Sequence, residues 1–140
     1  MEKYIGKDII VLSNRIKRRM RVAAEALGIT DTQGRVLQYI WEESEKREVF
    51  QKDIEDEFDI RRSSVTQIIQ LLERDGLIVR ESVQRDARLK KLVLTEKAIE
   101  IQKVMNGKVR ELEAEMQKDI SPEEKELFLK ILCKIRKNVM

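Results

Sequence analysis

Apolar residues recur every three or four positions through most of the chain, which is the spacing of an amphipathic helix. This pattern predicts helices at 5–27, from 30 onward, at 51–58, 62–75, 95–118 and 121–138. Two shorter apolar and branched runs, 77–83 and 89–94, predict β-strands joined by a polar tip at 84–88. The pattern therefore predicts a mainly α chain with one small β-hairpin.

Several predicted helices carry start signals. Thr30 and Gln33 have the spacing of a capping box, Thr95 can cap the helix that follows it, and Ser-Pro-Glu-Glu at 121–124 combines three such signals. Gly34 lies inside the second helix, where glycine costs about 1 kcal/mol relative to alanine. We therefore expect close packing at Gly34.

The order of the elements suggests an architecture. A short helix, a tight connection and a second helix form a helix-turn-helix, and a hairpin directly after it forms a wing. We expect a single chain, 1–140, in which residues 30–95 form a winged helix-turn-helix lobe. The apolar stripes of the first and the last two helices either cover a partner surface or fold back on this lobe.

Composition narrows the chemistry. The chain has 29 basic and 26 acidic residues, no histidine and one cysteine. Histidine-based catalysis, disulfides within the chain and cysteine-cluster metal sites are therefore excluded. No phosphate-binding loop, dinucleotide fingerprint or zinc-protease motif occurs. We expect no enzyme activity, no catalytic residue, no metal and no cofactor. We also expect a cytoplasmic location and no membrane partner, since neither a signal peptide nor a membrane span is evident.

The small net charge of +3 hides an uneven distribution. Residues 61–91 hold eight basic and four acidic side chains, whereas residues 42–59 hold three basic and nine acidic ones. A local basic surface beside an acidic one is typical of a face that meets phosphate.

The helix 62–75 has an apolar stripe and a polar outer face, as a DNA recognition helix requires. Gln pairs with adenine and Arg with guanine, while serines at a helix start bind phosphate. An arginine at a wing tip can enter the minor groove. The predicted DNA-binding residues are Arg61, Arg62, Ser63, Ser64, Thr66, Gln67, Gln70, Arg85, Asp86, Arg88 and Lys90.

Two of these assignments have structural alternatives. The polar face of the helix could simply be solvated, and Lys90 with Lys91 could protect an edge strand from pairing. Carboxylates are nearly absent from the outer face of the helix, which favours the DNA interpretation. Asp86 does not suit phosphate, so we expect it to hold the turn or to orient Arg88.

Three segments resemble the MarR family of winged-helix transcription regulators. They are LGITDTQGRVL at 27–37, SSVTQIIQLLERDGLI at 63–78, and Asp86-Ala87-Arg88 followed by LVLTEKA at 92–98. The resemblance covers essentially the whole chain. Ala87 departs from it, because many relatives have arginine at that position.

The resemblance implies more than the residues alone. It implies double-stranded DNA as a partner, a homodimer formed through helices within 1–28 and 96–140, and a palindromic operator. It further implies repression that is relieved by a small aromatic or anionic effector. Cys133 is not placed like the reactive cysteine of oxidant-sensing relatives, so we expect a buried small hydrophobe. The alternative function is a winged-helix protein-interaction module that does not bind DNA.

Overall fold

The computed structural model describes residues 3–140, so the first two residues of the predicted N-terminal dimerisation segment lie outside it. Within that range the chain forms six helices and one antiparallel hairpin, as the sequence predicts. The elements are α1 (Ile5–Glu25), α2 (Asp31–Ser44), α3 (Gln51–Phe58), α4 (Arg62–Arg74), β1 (Ile78–Val83), β2 (Asp86–Leu94), α5 (Glu96–Met116) and α6 (Pro122–Asn138).

The predicted helix starts are confirmed. In α2 the Gln33 N–H donates to Thr30 Oγ1 and the Thr30 N–H donates to Gln33 Oε1, both over 3.0 Å. Ser121 and Glu124 make the same reciprocal pair at the start of α6. The Ala98 N–H donates to Thr95 Oγ1 over 3.2 Å, which caps α5. Side chains at these positions satisfy backbone N–H groups that the helices cannot.

A tight turn separates α3 from α4. Asp59 follows α3 in the left-handed conformation, with φ of 51°, and the next residue's N–H, that of Ile60, reaches back to the Glu55 carbonyl over 3.1 Å. This bond closes the end of α3 and turns the chain directly into α4. The two helices form the predicted helix-turn-helix.

The second strand begins earlier than predicted. β2 starts at Asp86 rather than Leu89, and only residues 84–85 form the turn. The pairing shifts after Ser82–Lys90, since the next pair is Val83–Asp86 and the intervening β2 residues bulge outward. The polar composition of 86–88 suggested a loop, but a strand exposed to solvent on both faces needs no apolar residues there.

The chain divides into two compact units, one running to Gly107 and the other from Lys108 onward. The core of the first unit is built from aliphatic side chains of α2, α3, α4 and the hairpin. These include Val36, Leu37, Ile40, Ile54, Val65, Ile69, Leu72, Leu77 and Ile78. The predicted close packing at Gly34 is confirmed, because a Cβ there would lie 3.3 Å from the Met105 Cε atom.

A short extended segment joins the hairpin at its β2 edge. The Leu92 N–H donates to the Val49 carbonyl over 2.8 Å, so residues 48–50 run beside β2. Val49 itself is buried. This segment connects the wing to the start of α3.

The terminal helices leave much apolar surface uncovered. In α1 only Met20 and Ala24 are buried, and α6 has no buried residue within the described chain. The expectation that Cys133 is buried is therefore wrong for the single chain, because its thiol lies on an uncovered helix. No helix within residues 3–140 is both long and apolar enough to cross a membrane.

Candidate nucleic-acid interface

The two faces of α4 separate as the sequence predicts. Val65, Ile69 and Leu72 are buried against the core. The opposite face carries polar side chains that are exposed to solvent. The exposed predicted residues on or next to α4 are Arg61, Arg62, Ser63, Ser64, Gln67 and Gln70. The exposed face therefore offers amide, hydroxyl and guanidinium groups in one strip.

Thr66 behaves differently from its neighbours. It is half-buried, and its hydroxyl donates to the Arg62 carbonyl over 2.9 Å. The same hydroxyl oxygen accepts a 2.8 Å bond from the side-chain amide of Gln51, the first residue of α3. Thr66 thus fastens the two helices together. Sequence reasoning missed Gln51, and its only signal was its place at the start of the helix before α4.

The start of α4 is electropositive. Its N-cap residue, Arg61, makes no capping bond through its side chain, and the first turn contains no acidic residue. Among the described residues, neither Arg61 nor Arg62 forms an ion pair. The positive end of the helix dipole adds to these two charges. Ser63 and Ser64 lie in this first turn, in the arrangement that suits a phosphate.

At the wing, Asp86 holds Arg88 through both its backbone and its side chain. Asp86 Oδ1 accepts the Arg88 N–H over 2.9 Å, and the two carboxylate oxygens each accept a guanidinium N–H over 3.3 Å. These bonds from the Arg88 side chain and backbone lower the pKa of Asp86. The predicted structural role of Asp86 is confirmed. The Arg88 side chain nevertheless remains 91% exposed.

The other wing cations contact the protein. Arg85 Nη2 lies 3.2 Å from Glu48 Oε2, and its guanidinium stacks 5.3 Å from the centre of the Phe50 ring. Lys90 Nζ donates to Ser82 Oγ over 2.6 Å. Arg85 and Lys90 are still exposed, so these contacts do not bury their charges.

This arrangement defines a winged helix-turn-helix protein with a polar, cationic helix face and an arginine displayed at the wing. The MarR family model matches residues 27–89, which cover the helix-turn-helix and most of the wing. A crystal structure of the transcription regulator MarR from Oenococcus oeni PSU-1 is 28% identical, with a TM-score of 0.87. That match covers 96% of this chain and 99% of the other.

Two further solved structures are similar in fold. S. aureus MepR in a DNA complex is 23% identical with a TM-score of 0.90, over 98% of this chain and 97% of that one. A MarR-family regulator from Listeria monocytogenes, complexed with 26mer DNA, is 22% identical with a TM-score of 0.85. That match covers 99% of this chain and 90% of the other.

The winged-helix part of the chain thus matches the MarR family model, and a solved MarR regulator is similar in fold over almost the whole chain. Proteins of this family are transcription regulators rather than enzymes, in agreement with the composition.

Proposed function

We propose that this regulator binds double-stranded DNA with α4 in the major groove and the wing in a flanking minor groove. The observation that carries the proposal is the exposed polar face of α4, which begins with two cations that make no ion pair within residues 3–140. A helix face of this kind fits the major groove, whose base edges pair with Gln and Arg side chains. The relatives from S. aureus and Listeria monocytogenes were solved with DNA, which supports the same use of the fold.

The proposed contacts divide into two groups. Gln67 and Gln70 project from the middle of α4 and are proposed to read base edges. The cations and serines at the start of α4 are proposed to bind phosphate, together with exposed groups of the wing. This second group comprises Arg61, Arg62, Ser63, Ser64, Arg85, Arg88 and Lys90. Phosphate contacts fix the position of a protein on DNA, and base contacts give its sequence preference. In this arrangement Thr66 holds α4 against α3 through its bond from Gln51, and Asp86 holds the Arg88 side chain.

We further propose that the regulator is a homodimer that uses helices within 1–28 and 96–140, leaving 30–95 as the DNA-binding lobe. Ile5 and Ile10 on α1 and Leu127 and Phe128 on α6 are each more than half exposed. Apolar surface of this extent favours a partner. A two-fold dimer presents two recognition helices about one DNA turn apart and requires a palindromic site.

Repression, and its relief by a small aromatic or anionic effector, complete the proposal. Both are supported by the resemblance to the MarR family alone. A comparison of promoter activity with and without the protein distinguishes repression from activation.

Selection of bound sequences from a pool of random duplexes tests the DNA-binding proposal. We expect an inverted repeat with half-sites about 10 base pairs apart. The affinity for the selected duplex should fall steeply with salt, because each phosphate contact releases counterions. Failure to enrich any sequence, with no duplex binding at low salt, would instead support a protein-interaction module.

A double-alanine variant and its control test whether the start of α4 contacts DNA. Replacement of both Arg61 and Arg62 by alanine should weaken binding and flatten its salt dependence by about two units of slope for each α4. Lys103→Ala is the control, since it removes a cation that pairs with Glu100 on α5. Equal effects of the two changes would contradict a DNA surface at the start of α4.

A further inference from the structure

Residues 48–50, the extended segment before α3, form a fixed platform beside the wing. Residues alternate sides along an extended backbone, so Glu48 and Phe50 share one side while Val49 is buried on the other. The Val49 carbonyl is bonded to β2 at Leu92, and the Phe50 N–H donates to Asp53 Oδ2 over 2.8 Å. The peptide between Val49 and Phe50 is therefore bonded to β2 through its carbonyl and to α3 through its N–H, which holds the platform in place.

Arg85, from the turn of the wing, lies on this platform. Its guanidinium contacts the Glu48 carboxylate at 3.2 Å and the Phe50 ring at 5.3 Å from the ring centre. The carboxylate offsets the charge of the guanidinium, and the ring face favours a cation above it. The arginine side chain is still 58% exposed, so a phosphate can reach it.

We propose that Glu48 is a positioning residue for the wing, which holds Arg85 in the free protein and competes with DNA phosphate for its guanidinium. This inference rests on the proposed DNA-binding function. A phosphate that takes Arg85 must displace it from Glu48 and must also approach that carboxylate. Glu48 therefore lowers affinity for all duplexes alike.

The consequence for salt dependence is specific. When a phosphate takes Arg85 from Glu48, the freed carboxylate attracts cations from solution, which offsets part of the counterions that the phosphate releases. Without the Glu48 charge, Arg85 behaves as an additional free cation, and each phosphate that a free cation neutralises steepens the salt slope by about 0.9.

The test uses Glu48→Gln, which keeps the size of an exposed side chain and removes its charge. Binding to a mixed-sequence duplex of about three helical turns is measured at several salt concentrations. We expect about two- to fivefold tighter binding at low salt, in the range of an exposed ion pair, and a steeper slope. Glu45→Gln is the matched control, because Glu45 is an exposed carboxylate in the same loop.

A second pair of variants separates this effect from a general change in charge. In an Arg85→Ala background, Glu48→Gln should lose its advantage over Glu45→Gln, because there is no guanidinium left to release. A Glu48→Gln effect that persists there, or one that never exceeds that of Glu45→Gln, overturns the inference while DNA binding stands. Absence of duplex binding by every variant overturns the proposed function, and this inference with it.

Discussion

At the scale of single residues, the number of cations in a segment differs from the number that are available to bind phosphate. Residues 61–91 contain eight basic side chains, but Arg74 pairs with Asp75, Arg80 with Glu73 and Lys91 with Glu81. Surface ion pairs add little stability, yet they offset each other's charge. Arg85 and Arg88 also pair with carboxylates, so among residues 61–91 the cations without an ion pair to a described residue are Arg61 and Arg62 at the start of α4 and Lys90 in the wing.

Removal of the Arg88 side chain and removal of the Gln67 side chain should impair DNA binding in different ways. Arg88→Ala takes an exposed cation from the wing, so binding should weaken for every sequence. The salt slope should fall by at most about one per wing, because Asp86 offsets part of the Arg88 charge. Gln67→Ala should cost about 1–3 kcal/mol at one base position of each half-site and relax the preference there. Binding titrations against the selected duplex and single-base variants separate the two. Unchanged affinity and preference in both variants would contradict the placement of the DNA surface.

The pKa of the Asp86 carboxyl group should lie below the ordinary aspartate value. Hydrogen bonds from the Arg88 side chain and backbone favour its charged form and lower its folded-state pKa. Its stabilising contribution is therefore present above the ordinary aspartate pKa and is lost as the pH falls through the lowered value. NMR titration should show this low pKa, and Arg88→Ala should raise it by removing the side-chain bonds. An ordinary pKa in the unmodified protein would mean that the two residues do not interact in solution.

At the scale of elements, the junction of α4 with the wing depends on one backbone conformation. Gly76 ends α4 with φ of +73°, and the Leu77 N–H then bonds to the Leu72 carbonyl over 2.9 Å. Thr95 Oγ1 donates to the Gly76 carbonyl over 2.7 Å, which ties the same point to the start of α5. This single residue sets the direction in which the hairpin leaves the recognition helix.

Gly76→Ala should lower the free energy of unfolding by about 1–2 kcal/mol, the cost of a left-handed conformation for a residue with a Cβ. Apart from Gly76 and its two chain neighbours, no heavy atom of residues 3–140 lies within 4 Å of the added carbon, so the loss arises from the backbone alone. Gly107→Ala is the matched control, since it lies inside α5 with equally open space and should gain up to about 1 kcal/mol. Denaturant unfolding measures both changes, and a neutral Gly76→Ala would argue against the left-handed turn.

The elements themselves were predictable wherever a local signal exists. Capping residues such as Thr30 and Ser121 mark helix starts because the physics of a helix end is local. The early start of β2 and the Glu48–Arg85 contact were not predictable, since a register shift and an ion pair between distant segments leave no periodic pattern. The candidate residues on α4 were predicted from its apolar stripe, but the bond from Gln51 to Thr66 depends on how α3 packs beside α4.

At the scale of the whole molecule, exposed apolar side chains and exposed cations are concentrated in different parts of the chain. The winged-helix lobe buries most of its aliphatic residues and displays cations, whereas α6 displays large apolar side chains, with Phe128 51% exposed and Ile131 44% exposed. Large apolar side chains exposed together on one helix are typical of a protein–protein interaction site. The same helix explains why the burial of Cys133 could not be judged from periodicity, because an amphipathic pattern does not reveal which molecule covers the apolar face.

Phe128→Glu should dissociate the proposed homodimer. It places a carboxylate within the proposed interface, where an unpaired buried charge is costly, while the exposed position spares the fold of the single chain. Analytical ultracentrifugation should show a dimer for the unmodified protein and a monomer for the variant, with unchanged helical content by circular dichroism. Lys125→Glu, on the same helix and also exposed, makes a larger change in charge without removing an apolar group, so it serves as the control. DNA affinity should fall with dissociation, because one recognition helix reads only one half-site. A variant that remains dimeric and binds normally would place the dimer contact away from this face of α6.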